Sequence, residues 1–173
     1  MWLARKKAPS LEFRSADSRF GVYLPPRTVA LMLRLCRRAG TLETGGILAG
    51  RYSPDLLCAL INAVSGAPAD SKRGPAFFER GGRNLQAWLD RRWAKHGEHY
   101  LGEWHYHPMS SSTPSSTDRH QLRLIAEGTR GGCPEPILLV LGGNPSRTWS
   151  MSAHVFPRGR EDVELRRVTT APR

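Results

Sequence analysis

Two histidines and an aspartate occur at a spacing that can hold a metal ion. His105 and His107 precede Pro108, and a run of Ser, Thr and Met residues then leads to Asp118. On a β-strand, residues i and i+2 point to the same side, so both imidazoles would face one point. If the polar loop turns back, Asp118 supplies a third ligand. Two histidines and a carboxylate with one open position are typical of a catalytic zinc site.

Each part of this segment also has a simpler structural interpretation. An isolated His-x-His at a strand end is most often a partly exposed polar pair. Ser115 and Asp118 form the pattern of a helix capping box, which is compatible with a metal ligand because a capped helix start holds Asp118 rigidly. Glu103 shares a strand face with His105, so it could support that imidazole from behind. It could equally be an exposed or packing carboxylate.

The spacing resembles the signature of the JAMM (MPN-plus) metalloproteases, which is His-x-His, seven residues, Ser, two residues and Asp. His105, His107, Ser115 and Asp118 match it position by position. Glu43 begins a Glu-Thr-Gly-Gly-Ile-Leu-Ala-Gly segment similar to the one that carries the family's catalytic glutamate. Both segments occur in the family's order, and the resemblance extends from about residue 22 to residue 141.

The resemblance implies a mechanism. Zn²⁺ would be held by His105, His107 and Asp118. Glu43 would be the general base that takes a proton from the attacking water and returns it to the leaving amine. Ser115 would donate a hydrogen bond to the developing oxyanion. The bond cleaved would be an isopeptide or peptide bond after the C-terminus of a ubiquitin-like protein.

Within the family, the chain is most similar to small prokaryotic members. Residues 100–108 resemble a run found in deconjugating enzymes of bacterial antiphage (CBASS-type) and ubiquitin-like conjugation operons, so operon-encoded activating and conjugating enzymes are expected partners. Tyr106 replaces the Ser or Thr common between the two histidines, and the 173 residues show no long insertions like those of eukaryotic deubiquitinases. The identity of the substrate therefore stays open. A catalytically silent MPN-like scaffold is the alternative, disfavoured because every motif position is present.

Composition places the chain among globular proteins of one domain. It has 173 residues, of which 39% are hydrophobic and 24% charged. The formal net charge of +11 suggests a nucleic-acid-associated protein as a further alternative, but no nucleic-acid-binding motif accompanies it, so nucleic acid is not the expected partner. Three widely spaced cysteines, no signal peptide and no apolar run long enough for a membrane span predict a cytoplasmic protein without a membrane partner.

The elements that must position these residues indicate an α/β fold. We expect a single MPN (JAB)-like domain with a central mixed, mostly antiparallel sheet flanked by about three helices. Residues 1–19 are predicted to be a basic arm with a short strand, residues 20–168 the metalloprotease domain and residues 169–173 a tail. Helices are predicted at 26–40, 83–95 and 115–127, and residues 41–46 and 65–76 are interpreted as a tight connector and a long loop. Strands are predicted at 20–24, 47–52, 56–64, 77–80, 99–105, 136–141, 147–156 and 163–168.

Overall fold

The computed structural model describes residues 8–128 and 133–169, so the first seven residues of the predicted arm and most of the predicted tail lie outside it. Its three helices are α1 (Pro26–Ala39), α2 (Leu85–His96) and α3 (Ser116–Ala126). Its ten strands are β1 (Leu11–Arg14), β2 (Gly21–Leu24), β3 (Thr44–Tyr52), β4 (Cys58–Val64), β5 (Lys72–Gly74), β6 (Phe77–Glu79), β7 (His99–Pro108), β8 (Ile137–Gly143), β9 (Trp149–Val155) and β10 (Val163–Arg167).

Eight of the strands form one mixed sheet in the order β1-β10-β9-β8-β7-β3-β4-β2. Six of its eight pairings are antiparallel, and β2–β4 and β7–β8 are parallel. The prediction of a mixed, mostly antiparallel sheet with three helices is therefore confirmed. The expectation of a central sheet flanked by helices did not include closure: β1 pairs with both β2 and β10 and closes the sheet into a barrel.

The core lies on both sides of β8. Ile137, Leu139 and Leu141 belong to the main cluster, which also contains α1, whereas Leu138 and Val140 pack in a second cluster beneath α3. A strand that is covered on both faces has a continuous apolar sequence rather than an alternating one. The continuous apolar run in β8 therefore fits a strand whose two faces are buried in different clusters.

Helix α1 follows its sequence signals, whereas α2 does not. Pro26 occupies the first turn of α1, and Gly40 ends it with φ +66° and an N–H bond to the Cys36 carbonyl. In α2, by contrast, no residue is buried, and Trp93 is 63% exposed although its spacing in the helix is that of a packing residue. None of the helices within residues 8–128 and 133–169 is long and apolar enough to cross a membrane.

Two short strands lie outside the barrel. β5 and β6 pair with each other as an isolated antiparallel hairpin, within and just after the segment predicted as a long loop. β3 also starts earlier than expected, at Thr44, so the Gly45-Gly46 pair lies in a strand rather than in a connector. Both differences alter the surroundings of the candidate site.

Candidate metal and catalytic site

The predicted metal ligands converge where β7 ends and α3 begins. The Nδ1 atom of His105 lies 2.6 Å from Oδ1 of Asp118, and Nε2 of His107 lies 3.5 Å from Oδ2 of the same carboxylate. One donor atom from each residue falls within 4.8 Å of the others. His105 and Asp118 are buried, and only 11% of the His107 side chain is exposed. The structure thus brings together the three residues that spacing predicted.

The N-terminus of α3 holds Asp118 in place. Its backbone N–H donates to Oγ of Ser115 at 3.1 Å, and its Oδ2 accepts from the Ser115 N–H at 2.8 Å. These reciprocal bonds form the predicted capping box. The same carboxylate therefore caps the helix and contacts both imidazoles.

The loop between His107 and Ser115 is held against the barrel. A Cβ atom on Gly142 of β8 would lie 2.5 Å from the Ser112 nitrogen, so only glycine lets the loop pass at this distance. From β9, the Ser150 hydroxyl donates to the Ser112 hydroxyl, and Ser152 donates to the Ser112 carbonyl. These contacts return the chain toward β7 and deliver Asp118 to the histidines.

The electrostatics of this group favour a bound cation. Burial disfavours a charged imidazole, yet the contacts with Asp118 and Glu103 raise the pKa of His105 to about 9. Contact with Asp118 likewise raises the pKa of His107. Burial opposes ionisation of Asp118, but its contacts with the two imidazoles hold its pKa well below the usual range. Two nitrogens and a carboxylate that together stabilise positive charge fit a divalent metal such as zinc.

Strand β3 brings Glu43, the last of the residues predicted from sequence, to the same site. Gly45 pairs with His105, and a Cβ atom on Gly45 would lie 2.2 Å from the Trp104 carbonyl and 3.0 Å from Cδ2 of His105. The glycine therefore lets β3 pass close behind the metal ligand. Glu43, half-buried just before β3, donates its N–H to the Gly74 carbonyl at 2.8 Å. Burial raises the pKa of the Glu43 carboxyl above its ordinary value.

One cleft of about 600 Å³ joins these groups. Glu43 and Ser115 line it together with His107 and Asp118, and Phe77 of the hairpin forms part of another wall. A carboxylate, a hydroxyl and two of the three predicted metal ligands thus line the same space.

Glu103 lies behind the His105 imidazole, one of the two placements that the sequence pattern left open for it. It is 2% exposed, so the interpretation as an exposed carboxylate is wrong. Its Oε1 atom accepts from Arg80 at 2.7 and 3.0 Å, and its Oε2 atom lies 3.8 Å from Nε2 of His105. No sequence signal pointed to a role at the site for Arg80 or for Phe78, whose ring packs edge-on against His105 with centroids 5.4 Å apart.

The fold and the site define a metalloprotease of the JAMM type. Within that class, the chain belongs to the family described as prokaryotic homologs of the JAB domain, whose model matches residues 25–152. The matched region begins just before α1 and ends in β9, so it contains all of the predicted metal ligands together with Glu43 and Ser115.

Two curated relatives cover most of the chain. It is 40% identical over 171 residues to a "CD-NTase/cGAS isopeptidase" of Enterobacter hormaechei, with 97% of this chain and 94% of the relative covered. It is 31% identical over 152 residues to a "Probable metalloprotease" of Sinorhizobium fredii, with 86% and 92% covered. A solution structure of a Desulfitobacterium hafniense protein shares the fold, with a TM-score of 0.57, 19% identity and coverage of 82% and 87%.

Proposed function

We propose that the protein is a zinc-dependent isopeptidase that cleaves the amide bond after the C-terminus of a ubiquitin-like protein in its conjugates. The observation that carries this proposal is the convergence of His105, His107 and Asp118 at the edge of a cleft that Glu43 and Ser115 line together with His107 and Asp118. A silent scaffold has no need to keep all five groups together. The relative named as an isopeptidase supports an isopeptide bond as the target.

The side chains divide the chemistry among them. A bound zinc ion would supply Lewis acidity, which polarises the scissile carbonyl and acidifies water. Glu43 takes the proton from the attacking water and passes it to the leaving amine. The Ser115 oxygen accepts from the Asp118 N–H, so its own hydrogen is free to donate to the developing oxyanion. A donor of this kind contributes roughly 3 kcal/mol to transition-state stabilisation.

The name of the Enterobacter relative also suggests the other half of the conjugate. We take a CD-NTase of the cGAS type as the protein to which the ubiquitin-like partner is attached. Activating and conjugating enzymes of the same operon would form the bond, and antiphage defence would be the setting, as the sequence resemblance implies. A cytoplasmic location fits the three cysteines, all of which are free thiols in the structure.

The proposal is tested with purified protein and an isopeptide-linked conjugate of the operon's ubiquitin-like protein. Wild type should contain one equivalent of zinc and release both halves, and a chelator should stop the reaction. Glu43→Gln should retain zinc and lose at least 100-fold in rate, the lower range for a general base. Cleavage by Glu43→Gln at the wild-type rate would contradict the role of Glu43. A zinc-loaded wild type that never cleaves would favour a scaffold.

A further inference from the structure

Arg80, which is partly exposed, forms an ion pair with the buried Glu103 directly behind a predicted metal ligand. The Arg80 guanidinium donates to Oε1 of Glu103 through both Nε and Nη2, at 3.0 and 2.7 Å. This leaves Oε2 of the buried carboxylate 3.8 Å from Nε2 of His105. The Nε2 atom is itself buried and has no hydrogen-bond partner among the described residues. The imidazole is thus flanked by Asp118 at Nδ1 and by Glu103 at Nε2.

Arg80 comes from outside the barrel. It follows β6, the second strand of the isolated β5–β6 hairpin. This hairpin contacts the site at three points: the Gly74 carbonyl accepts from the Glu43 N–H, Phe78 packs on the His105 ring, and Arg80 binds Glu103. The same hairpin lines the substrate cleft through Phe77. Residues 74–80, predicted as the end of a loop followed by a short strand, therefore contact both the proposed base and a predicted ligand.

We propose that Arg80 is a positioning residue for the metal site, acting through Glu103 on His105. By fixing Oε1, Arg80 directs Oε2 toward the ring nitrogen that faces away from Asp118, and so sets the tautomer and orientation of the imidazole. Carboxylates in this position behind a ligand histidine typically change metal affinity 10–100-fold when they are removed. The inference rests on the proposed function, because it requires that His105 binds a metal.

A purely structural role for the pair is the competing explanation. Buried ion pairs contribute little net stability, and replacing both partners with apolar residues is often neutral, whereas removing one partner leaves an unpaired buried charge. The two explanations therefore differ for a double substitution. If the pair only supports the fold, the double variant with Arg80→Met and Glu103→Leu should have wild-type stability and wild-type zinc affinity. If it orients His105, the double variant recovers stability but not metal affinity.

The test measures Zn²⁺ affinity by competition with a chromophoric chelator, which needs no substrate. Arg80→Gln should weaken binding about 10–100-fold. The matched control is Arg73→Gln, an exposed arginine on the same hairpin, which should bind as wild type. Binding by Arg80→Gln equal to wild type would overturn the inference.

The double variant covers the case in which Arg80→Gln does not fold. Weak zinc binding by a stable double variant supports the inference, and wild-type affinity overturns it. Failure here is distinguishable from failure of the proposed function. If wild type itself takes up no zinc, the metalloenzyme proposal fails. If wild type binds zinc and Arg80 proves irrelevant, only the role of Arg80 is lost.

Discussion

Ser115 combines a capping hydrogen bond with a hydroxyl group that belongs to the lining of the cleft. Its oxygen caps α3 by accepting from Asp118, and the capping box predicted from sequence is confirmed. Its role as a hydrogen-bond donor to the oxyanion stays a prediction. Since one atom serves both purposes, removal of the hydroxyl affects the helix and the reaction together, and a single alanine variant cannot separate them.

Comparing Ser115→Ala with Ser115→Gly separates the two roles. Alanine at a helix N-cap costs about 1 kcal/mol of stability, whereas glycine costs only a few tenths. Neither can donate to an oxyanion, so both should lose roughly 100-fold or more in kcat while keeping zinc. Thermal unfolding and single-turnover cleavage measure the two effects. An unchanged cleavage rate in both variants would leave Ser115 as a cap alone.

At the scale of elements, the close pairing of β3 with β7 decides how the site is built. Gly45 and Gly46 pair with His105 and Trp104, although a Gly-Gly pair in sequence favours a turn. A Cβ atom on Gly46 would meet the Ser65 carbonyl at 2.4 Å. The glycines are thus required by close backbone approach, which local sequence preference cannot distinguish from a turn.

Gly45→Ala should therefore disturb the site through the strand rather than through chemistry. The added methyl would collide with the Trp104 carbonyl and the Phe78 ring, and overpacking of this kind costs about 1–3 kcal/mol. Denaturant unfolding checks the loss. Gly82→Ala is the control, because a Cβ atom there meets nothing within 4 Å. Equal stability of the two variants would mean that β3 can move away from β7 at no cost.

For the whole molecule, closure of the barrel depends on a strand from the N-terminal segment. β1 pairs with β2 on one side and β10 on the other, and Leu11 and Phe13 are each only 1% exposed. Closure removes two free strand edges, which are sites of aggregation in open sheets. The segment predicted as a basic arm thus contributes buried side chains to the main core.

Phe13→Ala should consequently destabilise the entire domain. Truncation of a buried phenylalanine costs about 3–5 kcal/mol. Phe77→Ala removes the same side chain from a position that is 54% exposed and should change stability by less than about 0.5 kcal/mol. Chemical denaturation of the two variants makes the comparison. A small loss for Phe13→Ala would show that β1 is dispensable to the fold.

The three predicted metal ligands could be recognised from sequence because their geometry is set by local structure. Alternation along one strand puts His105 and His107 on one side, and a capping box fixes Asp118 relative to Ser115 over three residues. The ends of α1 were predictable for the same reason, since Pro26 and Gly40 act on their own turns. These features need no knowledge of distant contacts.

Tertiary structure alone decided the closure of the sheet and what surrounds the ligands. Trp93 has the spacing of a packing residue, yet the packing of α2 leaves it exposed. β1 pairs with β10 from the other end of the chain, and Arg80 contacts Glu103 at a sequence separation of 23 residues. Such pairings depend on the path of the entire backbone, because the free energy that selects them comes from contacts that no local pattern encodes.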